Sequence, residues 1–495
     1  MKENASVDEN KTQGWAKSEF GECQFGDKRL TKRLIKIADS LANLPESSIN
    51  QVCKNWSEAK AAYRFFENDK VDVPKILAVH CKKTAQRASS CKKVLVIQDT
   101  TYISYLTHPQ TTDLGIISKK GAKYKNKESK GLIMHTAFAV STEGLPLGIT
   151  DQKIYARPPV PEEAKRYKNK SDYNNTIPIE EKESRKWLES LKKTNSLFKC
   201  KENEVITVCD READIYDFFK LANELKAPVL VRGSNRNRVV NKKSRYSEKG
   251  KEKLGEVVES FPCQGEIQVE VPAKDNKPKR IATLEVSYGM FTMNIPINNI
   301  GDKKEKQPSF PVYAVYVVEK NPPEKTEPLE WILLTNLEIS NYDEALEKVR
   351  WYCLRWKIEV FHKILKSGLK VEECRLQTAA KLIRYLTIMS IIGWRIFYIT
   401  LIARDITLIA RAKPDLPCNI ILKEEEWQIL YIQKYKTKPN RNTKVPSIRE
   451  VILWIAELGR HMGRKKDLEP GPIVIWRGWK RLFDLINGWK LAQVS

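Results

Sequence analysis

Three carboxylates occur where metal-dependent chemistry at phosphorus would require them. Asp99 and Asp210 each follow a short apolar run typical of a buried strand, residues 94–97 and 205–209. Open α/β sheets place their chemistry at the carboxyl ends of such strands. The alternative for either residue alone, an Asp that begins a turn or caps the next helix, stays open. Glu359 is the third carboxylate, and its surroundings shift the balance towards a shared site.

Glu359 lies in a predicted helix over residues 342–366 whose polar side chains share one stripe. With 100° per residue, five polar groups fall within about 80° of one another: Tyr352, Arg355, Glu359, His362 and Lys366. A solvated helix face is the usual explanation for such a stripe. However, a Tyr and an Arg are less expected there, and the helix leads into very apolar sequence. These features favour a helix deep in the fold.

Carboxylates from two strands and a helix are suited to hold two Mg²⁺ ions, for which Mn²⁺ can substitute, because these metals prefer oxygen ligands. Two such ions about 3.5–4 Å apart activate an attacking oxygen and stabilise the leaving oxygen at phosphorus. Tyr352, Arg355 and Lys366 would grip the flanking phosphates. The spacing therefore predicts a nuclease-like site in which Asp99, Asp210 and Glu359 are both catalytic residues and metal ligands.

The composition agrees with a polyanionic partner. The 495 residues carry 87 Lys plus Arg against 62 Asp plus Glu, a formal net charge of +25, which is far more than solubility requires. Ten cysteines without a C-x-x-C pair, and only five histidines, argue against zinc sites and disulfide frameworks and predict a cytoplasmic protein. The N-terminus has no apolar run of a secretory signal. Arg384 and Arg395 interrupt the most apolar stretch, so we expect a buried helix and no membrane partner.

The elements that must position these residues change in character along the chain. We predict five regions, listed here in order: a helical DNA-binding domain at 1–87, the first part of an α/β core at 88–235, a β-rich antiparallel insertion at 236–330, the second part of the core with the catalytic helix at 331–412, and a helical C-terminal domain at 413–495. Short apolar runs alternating with helical patterns predict the core. Period-two runs around residues 267–271 and 313–317 predict the insertion.

Several motifs resemble those of bacterial DDE cut-and-paste transposases of the insertion-sequence-four group, which includes the transposon-five transposase. The spacing Tyr352-x2-Arg355-x3-Glu359-x6-Lys366 matches the YREK signature of that group, and residues 208–215 resemble its second-aspartate motif. Further similar segments span nearly the whole chain in the same order: Ile97-Gln-Asp99-Thr-Thr-Tyr, Gly26-Asp-Lys-Arg29, Glu58-Ala-Lys60-Ala-Ala-Tyr-Arg64-Phe, Leu-Glu-Trp331-Ile-Leu-Leu-Thr and Trp454-Ile-Ala-Glu-Leu-Gly.

The resemblance implies an RNase H-like core, a β insertion between Asp210 and Glu359, and Mg²⁺-dependent nicking, hairpin formation, hairpin opening and strand transfer at transposon ends. It implies double-stranded DNA, both element ends and target, as partner, and a homodimer in the DNA complex with its contact in the C-terminal domain. The implied DNA-contacting residues, besides those of the YREK signature, are Arg29, Lys60, Arg64, Arg232 and Trp331. For Trp331 the implied role is stacking on a flipped base, against the alternative of a core aromatic that ends a strand.

Two other functions remain open from the sequence. One is a metal-dependent endonuclease with the same core but no strand transfer. The other is an inactive or inhibitory DNA-binding derivative, against which the complete set of carboxylates and the basic N-terminal region argue.

Overall fold

The computed structural model describes residues 15–118, 128–167, 170–199 apart from 175, 203–241, 252–271, 280–294, 309–412 apart from 325, 415–464 apart from 421, 423 and 441, and short pieces between 470 and 489. Contacts divide the chain into two compact units, Met1–Gly393 and Trp394–Ser495. The predicted frayed residues 1–14, and the basic turns predicted at 274–280 and 302–306 except for Arg280, lie outside the described residues.

Five helices open the first unit: α1 Trp15–Phe20, α2 Lys28–Asn43, α3 Ile49–Val52, α4 Trp56–Glu67 and α5 Val73–Ala88. Asp27 and Asn55 begin α2 and α4, because each side chain accepts a hydrogen bond from a backbone N–H of the first turn. Apolar residues on one face of each helix form a shared core that includes Leu34, Phe65 and Phe66. These helices cover the region predicted to be helical.

A buried polar network joins the N-terminal helices to the sheet. The carboxylate of Glu19 lies 2.5 Å from Nδ1 of His80 and also accepts a hydrogen bond from Arg87. The ring's Nε2 accepts the backbone N–H of Ile149, which places the His80 proton on Nδ1. Arg87 in turn donates to the carbonyl of Leu147. The first unit therefore fixes α1 and α5 to one strand through groups that would be costly to leave unpaired.

The core sheet begins with six strands: β1 Lys93–Ser104, β2 Gly115–Ser118, β3 Ser129–Ser141, β4 Pro146–Tyr155, β5 Glu204–Cys209 and β6 Val229–Arg232. Three helices accompany them: α6 Lys170–Asn174, α7 Arg185–Phe198 and α8 Tyr216–Glu224. β1, β5 and β6 run parallel to one another, whereas β3 is antiparallel to β1. The predicted alternation of strands and helices is present.

The insertion extends the same sheet. Its elements are β7 Val239–Val240, β8 Glu252–Lys253, α9 Leu254–Glu259, β9 Cys263–Val271, β10 Arg280–Met293 and β11 Phe310–Glu319, and β12 Glu330–Thr335 follows. The strand order is β2-β3-β1-β5-β6-β12-β11-β10-β7-β8, with β4 beside β3 and β9 beside β10. The predicted antiparallel pairing is present, but β12 pairs directly with β6. The whole forms one mixed sheet of twelve strands.

The predicted helix over 342–366 is interrupted. The chain forms α10 Tyr342–Cys353, turns at residues 354–355, continues as α11 Trp356–Lys363 and ends in a π-helical turn, Ile364–Gly368. A long helix, α12 Ala379–Ala412, follows. Its first part, residues 379–393, belongs to the first unit: Arg384 donates to the carbonyls of Phe66 and Val71, and Ser390 accepts from Gln152 of β4.

Within the described residues, Ala379–Leu401 is long and apolar enough to cross a membrane, judged by length and composition alone. In its most apolar window, 67% of the residues are buried inside the protein, which is typical of a core helix.

The second unit has its own apolar core. Helices α13 Glu424–Tyr435 and α14 Ile448–Leu458 pack together, and the core contains Trp427 and Trp454, both nearly buried. Ser447 begins α14 with a capping box that includes Glu450. These two tryptophans fill the interior of the unit, whereas Tyr435, Leu453 and Met462 are exposed.

Candidate active site

Asp99 and Asp210 lie side by side on neighbouring strands. The last parallel residue pair between β1 and β5 is Gln98 with Cys209, so the next residue on each strand is one of the two aspartates. β5 ends there, as predicted, whereas β1 continues to Ser104 because its antiparallel pairing with β3 runs the full length of the strand. The prediction that Asp99 ends its strand is therefore wrong, but its position next to Asp210 does not depend on it.

Hydrogen bonds to the backbone orient both carboxylates. Asp99 accepts from the N–H of Thr100 at 2.8 Å, and its second oxygen lies 3.8 Å from Nδ1 of His362. Asp210 accepts from the N–H of Glu212 at 2.9 Å and caps a short 3₁₀ helix, Arg211–Ala213. Asp210 therefore fulfils the alternative role considered for it, capping, while also standing beside Asp99. The two roles are compatible because one oxygen serves the cap.

The electrostatics of Asp99 show that the carboxylates crowd one another. The pKa of Asp99 is raised from 3.8 to about 7, first by burial, then by the charge of Asp210 and to a smaller extent by Glu359, while the Thr100 N–H and Arg355 oppose the rise. A carboxyl in such a position is more stable when neutral unless a cation is nearby. An edge where carboxylate oxygens repel one another is chemically suited to a divalent metal ion.

Glu359 reaches the site from α11 and is engaged with Arg355, one turn earlier. The two side chains form an ion pair, and the Glu359 side chain is 56% exposed. As the side chains stand, the described residues contain no group of three or more His, Cys, Asp or Glu side chains arranged to hold a metal ion. In this arrangement the Glu359 carboxylate is paired with Arg355.

Two further predicted residues extend the same edge of the sheet. β6 is the parallel neighbour of β5, with Val231 opposite Cys209, so Arg232 follows at the level of Asp210. Arg232 donates to the carbonyl of Glu330 at 3.1 Å. Trp331 stands at the beginning of β12, half-buried, and not at the end of a strand as the alternative explanation required.

Tyr352 and Lys366 are the remaining residues of the polar stripe. The ring of Tyr352 is nearly buried, and its centre lies 5.8 Å from the centre of the Trp331 ring. The guanidinium of Arg355 lies over the Tyr352 ring, 5.8 Å from its centre. Lys366 is half-buried in the π-helical turn, and burial lowers its pKa while Glu372 opposes this.

Sequence reasoning missed two residues that support the site. His362 is buried against Asp99; its place on the polar stripe was the available signal. Asp214, fully buried, accepts hydrogen bonds from the N–H and hydroxyl of Ser234 at 2.7 and 3.0 Å and from Arg238 at 2.5 Å. Asp214 thereby ties the loop after Asp210 to the loop after Arg232.

Three predicted DNA contacts lie away from this edge, on the N-terminal helices. Arg29, at the start of α2, is exposed and bound to the carboxylate of Asp27. Lys60 and Arg64 are exposed on α4. The structure thus arranges the predicted residues in two groups, one at the sheet edge and one on the N-terminal helices.

Both ends of the chain match known protein families. Residues 12–71 match the family model described as Transposase DNA-binding, and residues 391–495 match the one described as Transposase Tn5 dimerisation domain. These matches support a Tn5-like transposase that binds DNA and dimerises. They agree with the predicted DNA-binding region at the start of the chain and the predicted dimerisation region at its end. The three carboxylates lie between the two matched segments.

Proposed function

We propose that this chain is a DDE transposase of the insertion-sequence-four group with an RNase H-like core, which cuts the ends of its mobile element and joins them to target DNA. The observation that supports this most strongly is the pairing of Asp99 with Asp210 at one sheet edge, within electrostatic range of Glu359. The family matches at the two ends of the chain support the binding of DNA and the formation of a dimer.

Asp99, Asp210 and Glu359 would hold the metal, Mg²⁺ or Mn²⁺. When bound, such ions activate the attacking oxygen and stabilise the leaving one. Arg355 would move from the Glu359 carboxylate to a DNA phosphate, which frees Glu359 for the metal. Arg232 and Lys366 would neutralise neighbouring phosphates, since charge-assisted contacts to phosphate fix the register of a duplex.

The proposed reaction sequence uses one site for four displacements at phosphorus. Water first attacks the phosphodiester at the transposon end and releases a 3′ hydroxyl. That hydroxyl attacks a phosphodiester of the opposite strand, which forms a hairpin and releases the flanking DNA. A second water opens the hairpin and regenerates the 3′ hydroxyl, which finally attacks a target phosphodiester and displaces a 3′ hydroxyl of the target strand. Trp331 would stack on a base displaced at the hairpin, since it is half-buried and beside Tyr352.

Alanine at each carboxylate tests the proposal. We expect Asp99→Ala, Asp210→Ala and Glu359→Ala to abolish Mg²⁺-dependent nicking of a plasmid carrying the ends of the proposed mobile element. DNA binding should persist in gel shifts, because affinity comes from Lys and Arg. Glu373→Gln, an exposed carboxylate shortly after the catalytic helices, is the matched control. Near wild-type cleavage by any one alanine variant would refute the assignment, and cleavage without strand transfer would favour the endonuclease alternative.

A mixing experiment tests cleavage in trans. A Glu359→Ala chain that binds ends normally is combined with a full-length chain in which the exposed Arg29, Lys60 and Arg64 are replaced by alanine, which should bind ends poorly and keeps the three carboxylates. If each active site acts on the end held by its partner, the mixture should recover part of the nicking that neither chain shows alone. No recovery in a mixture whose dimers are shown by sedimentation would contradict cleavage in trans.

A further inference from the structure

His135 contacts the two residues that flank Asp99 in its strand. His135 lies on β3, directly opposite Thr100 of β1, and its side chain is buried. Its Nδ1 is 2.9 Å from the hydroxyl oxygen of Thr100. Its Nε2 is 3.2 Å from Oε1 of Gln98, a residue that is fully buried. One imidazole ring therefore joins the side chains on both sides of Asp99.

These hydrogen bonds define the state of the imidazole ring. Oε1 of Gln98 can only accept a hydrogen bond, so Nε2 of His135 carries a proton and donates. Nδ1 is then unprotonated and accepts from the hydroxyl of Thr100. Burial lowers the pKa of His135 well below 6.5, which keeps the ring neutral. Because both nitrogens are engaged, the ring connects its neighbours and has no free atom for a metal ion or a proton transfer.

Trp187 packs against this ring from helix α7. The two ring centres are 4.7 Å apart with an angle of 74° between the ring planes, and the indole is buried. An aromatic ring that is packed on one side and hydrogen-bonded at both nitrogens has little freedom to rotate or shift. His135 is therefore rigid enough to fix the positions of Gln98 and Thr100.

Fixing these two residues also fixes the aspartate between them. Side chains alternate along a strand, so Gln98 and Thr100 project from the face opposite to Asp99. The backbone N–H of Thr100 donates to the Asp99 carboxylate at 2.8 Å. Gln98 pairs with Cys209, the residue directly before Asp210. His135 thus holds both the peptide group that orients Asp99 and the strand segment that places it beside Asp210.

We propose that His135 is a positioning residue, which orients the Asp99 carboxylate for metal binding through the two neighbouring residues of β1. This inference rests on the proposed metal site at the sheet edge. A metal ligand must be held within about 0.5 Å of its working position by the groups behind it. Replacing such supporting groups typically weakens metal binding or activity by about 10- to 100-fold. Loss of the hydrogen bond between His135 and Thr100 should therefore weaken metal binding although every carboxylate remains.

The test measures Mn²⁺ binding to the full-length chain, bound to a short duplex that ends at the terminus of the element and so offers no bond to cut. The electron paramagnetic resonance signal of free Mn²⁺ reports the bound fraction. Thr100→Val, which removes the hydroxyl at nearly constant shape, should raise the Mn²⁺ concentration at half occupancy about tenfold. Thr100→Ser keeps the hydroxyl and should stay within about twofold of the wild type. His135→Gln keeps a donor towards Gln98 but no acceptor for Thr100, and should resemble Thr100→Val.

The matched control is Thr150→Val, which removes a buried hydroxyl of β4 that bonds to the carbonyl of Ala137 and to Thr194 of α7. It should lower the midpoint of thermal unfolding at least as much as Thr100→Val, because it breaks two hydrogen bonds, yet it should bind Mn²⁺ as the wild type does.

Wild-type Mn²⁺ binding by Thr100→Val would overturn the positioning role, even if His135→Gln failed to fold. An equal loss of Mn²⁺ affinity in Thr150→Val would also overturn it, because the loss would then reflect general destabilisation. A wild type that binds no Mn²⁺ in this complex would instead overturn the proposed metal site.

Discussion

Replacing Asp99 by Asn should stabilise the metal-free protein at pH 8. Asp99 has a pKa raised from 3.8 to about 7 by burial, by Asp210 and by Glu359. In the unfolded chain the carboxyl ionises freely near 3.8, so the folded state is penalised at any pH above that value. The penalty is absent below about pH 3.8, grows between 3.8 and 7, and is complete above 7.

The magnitude follows from the size of the rise. At about 1.4 kcal/mol for each pKa unit, a rise from 3.8 to about 7 corresponds to about 4 kcal/mol. Side-chain relaxation reduces this, and we expect a gain of about 2–4 kcal/mol for Asp99→Asn at pH 8. With an unfolding entropy of about 2 cal/mol/K per residue over a unit of roughly 390 residues, the midpoint of thermal unfolding should rise by about 3–5 °C.

Thermal unfolding of wild type and variant at pH 5 and pH 8, each with and without MgCl₂, measures the effect. The difference between the two proteins should be smaller at pH 5, and Mg²⁺ should raise the wild-type midpoint at pH 8 more than that of the variant. Asp343→Asn, which removes an exposed carboxylate from the first turn of α10, should give no gain. An Asp99→Asn midpoint at or below that of the wild type at pH 8 would refute the raised pKa of Asp99.

Three other perturbations have defined outcomes. Burial would raise the pKa of Glu19, but His80 and Arg87 outweigh it and hold this pKa at about 2 instead of 4.5. Glu19→Gln should therefore cost about 3 kcal/mol of stability at pH 7. This loss should disappear as the pH falls from 4.5 to 2, which urea unfolding at several pH values would measure. Asp214→Asn should cost about 2–3 kcal/mol by the same assay and slow nicking, because it releases the Ser234 loop. A chain without residues 415–495 should bind single ends in gel shifts but neither pair nor cut them, and full-rate cutting by that monomer would contradict the synaptic dimer.

The neighbouring positions of Asp99 and Asp210 were predictable from the sequence because parallel strands bring their carboxyl ends to one edge of a sheet. The apolar runs alone indicated where those strands lie. The same reasoning could not show that β1 continues past Asp99, because residues 100–104 alternate in burial only after β3 pairs with them. The length of a strand depends on its partner as much as on its own residues.

The break between α10 and α11 was not predictable. Residues 342–366 contain neither Pro nor Gly, the usual local causes of an interruption, and the turn at residues 354–355 arises in the tertiary structure. The helical wheel nevertheless grouped the right side chains, since the ion pair of Arg355 with Glu359 and the contact of His362 with Asp99 are both present. The joining of the insertion to the core sheet could not be predicted from local sequence patterns either, because it depends on pairing between β6 and β12, which are about a hundred residues apart in the chain.

The pairing of β6 with β12 means that the insertion can be replaced without moving the strands of the core. Arg232 of β6 lies opposite Leu333 of β12, so the chain leaves the core and returns to it at hydrogen-bonded neighbours. The closure entropy of such an excursion grows by only about 0.6 kcal/mol for each doubling of its length. Related transposases could therefore acquire longer, shorter or unrelated insertions between these two strands without displacing the carboxylates, and a laboratory could exchange the segment to carry a new DNA- or protein-binding module at a fixed distance from the catalytic edge.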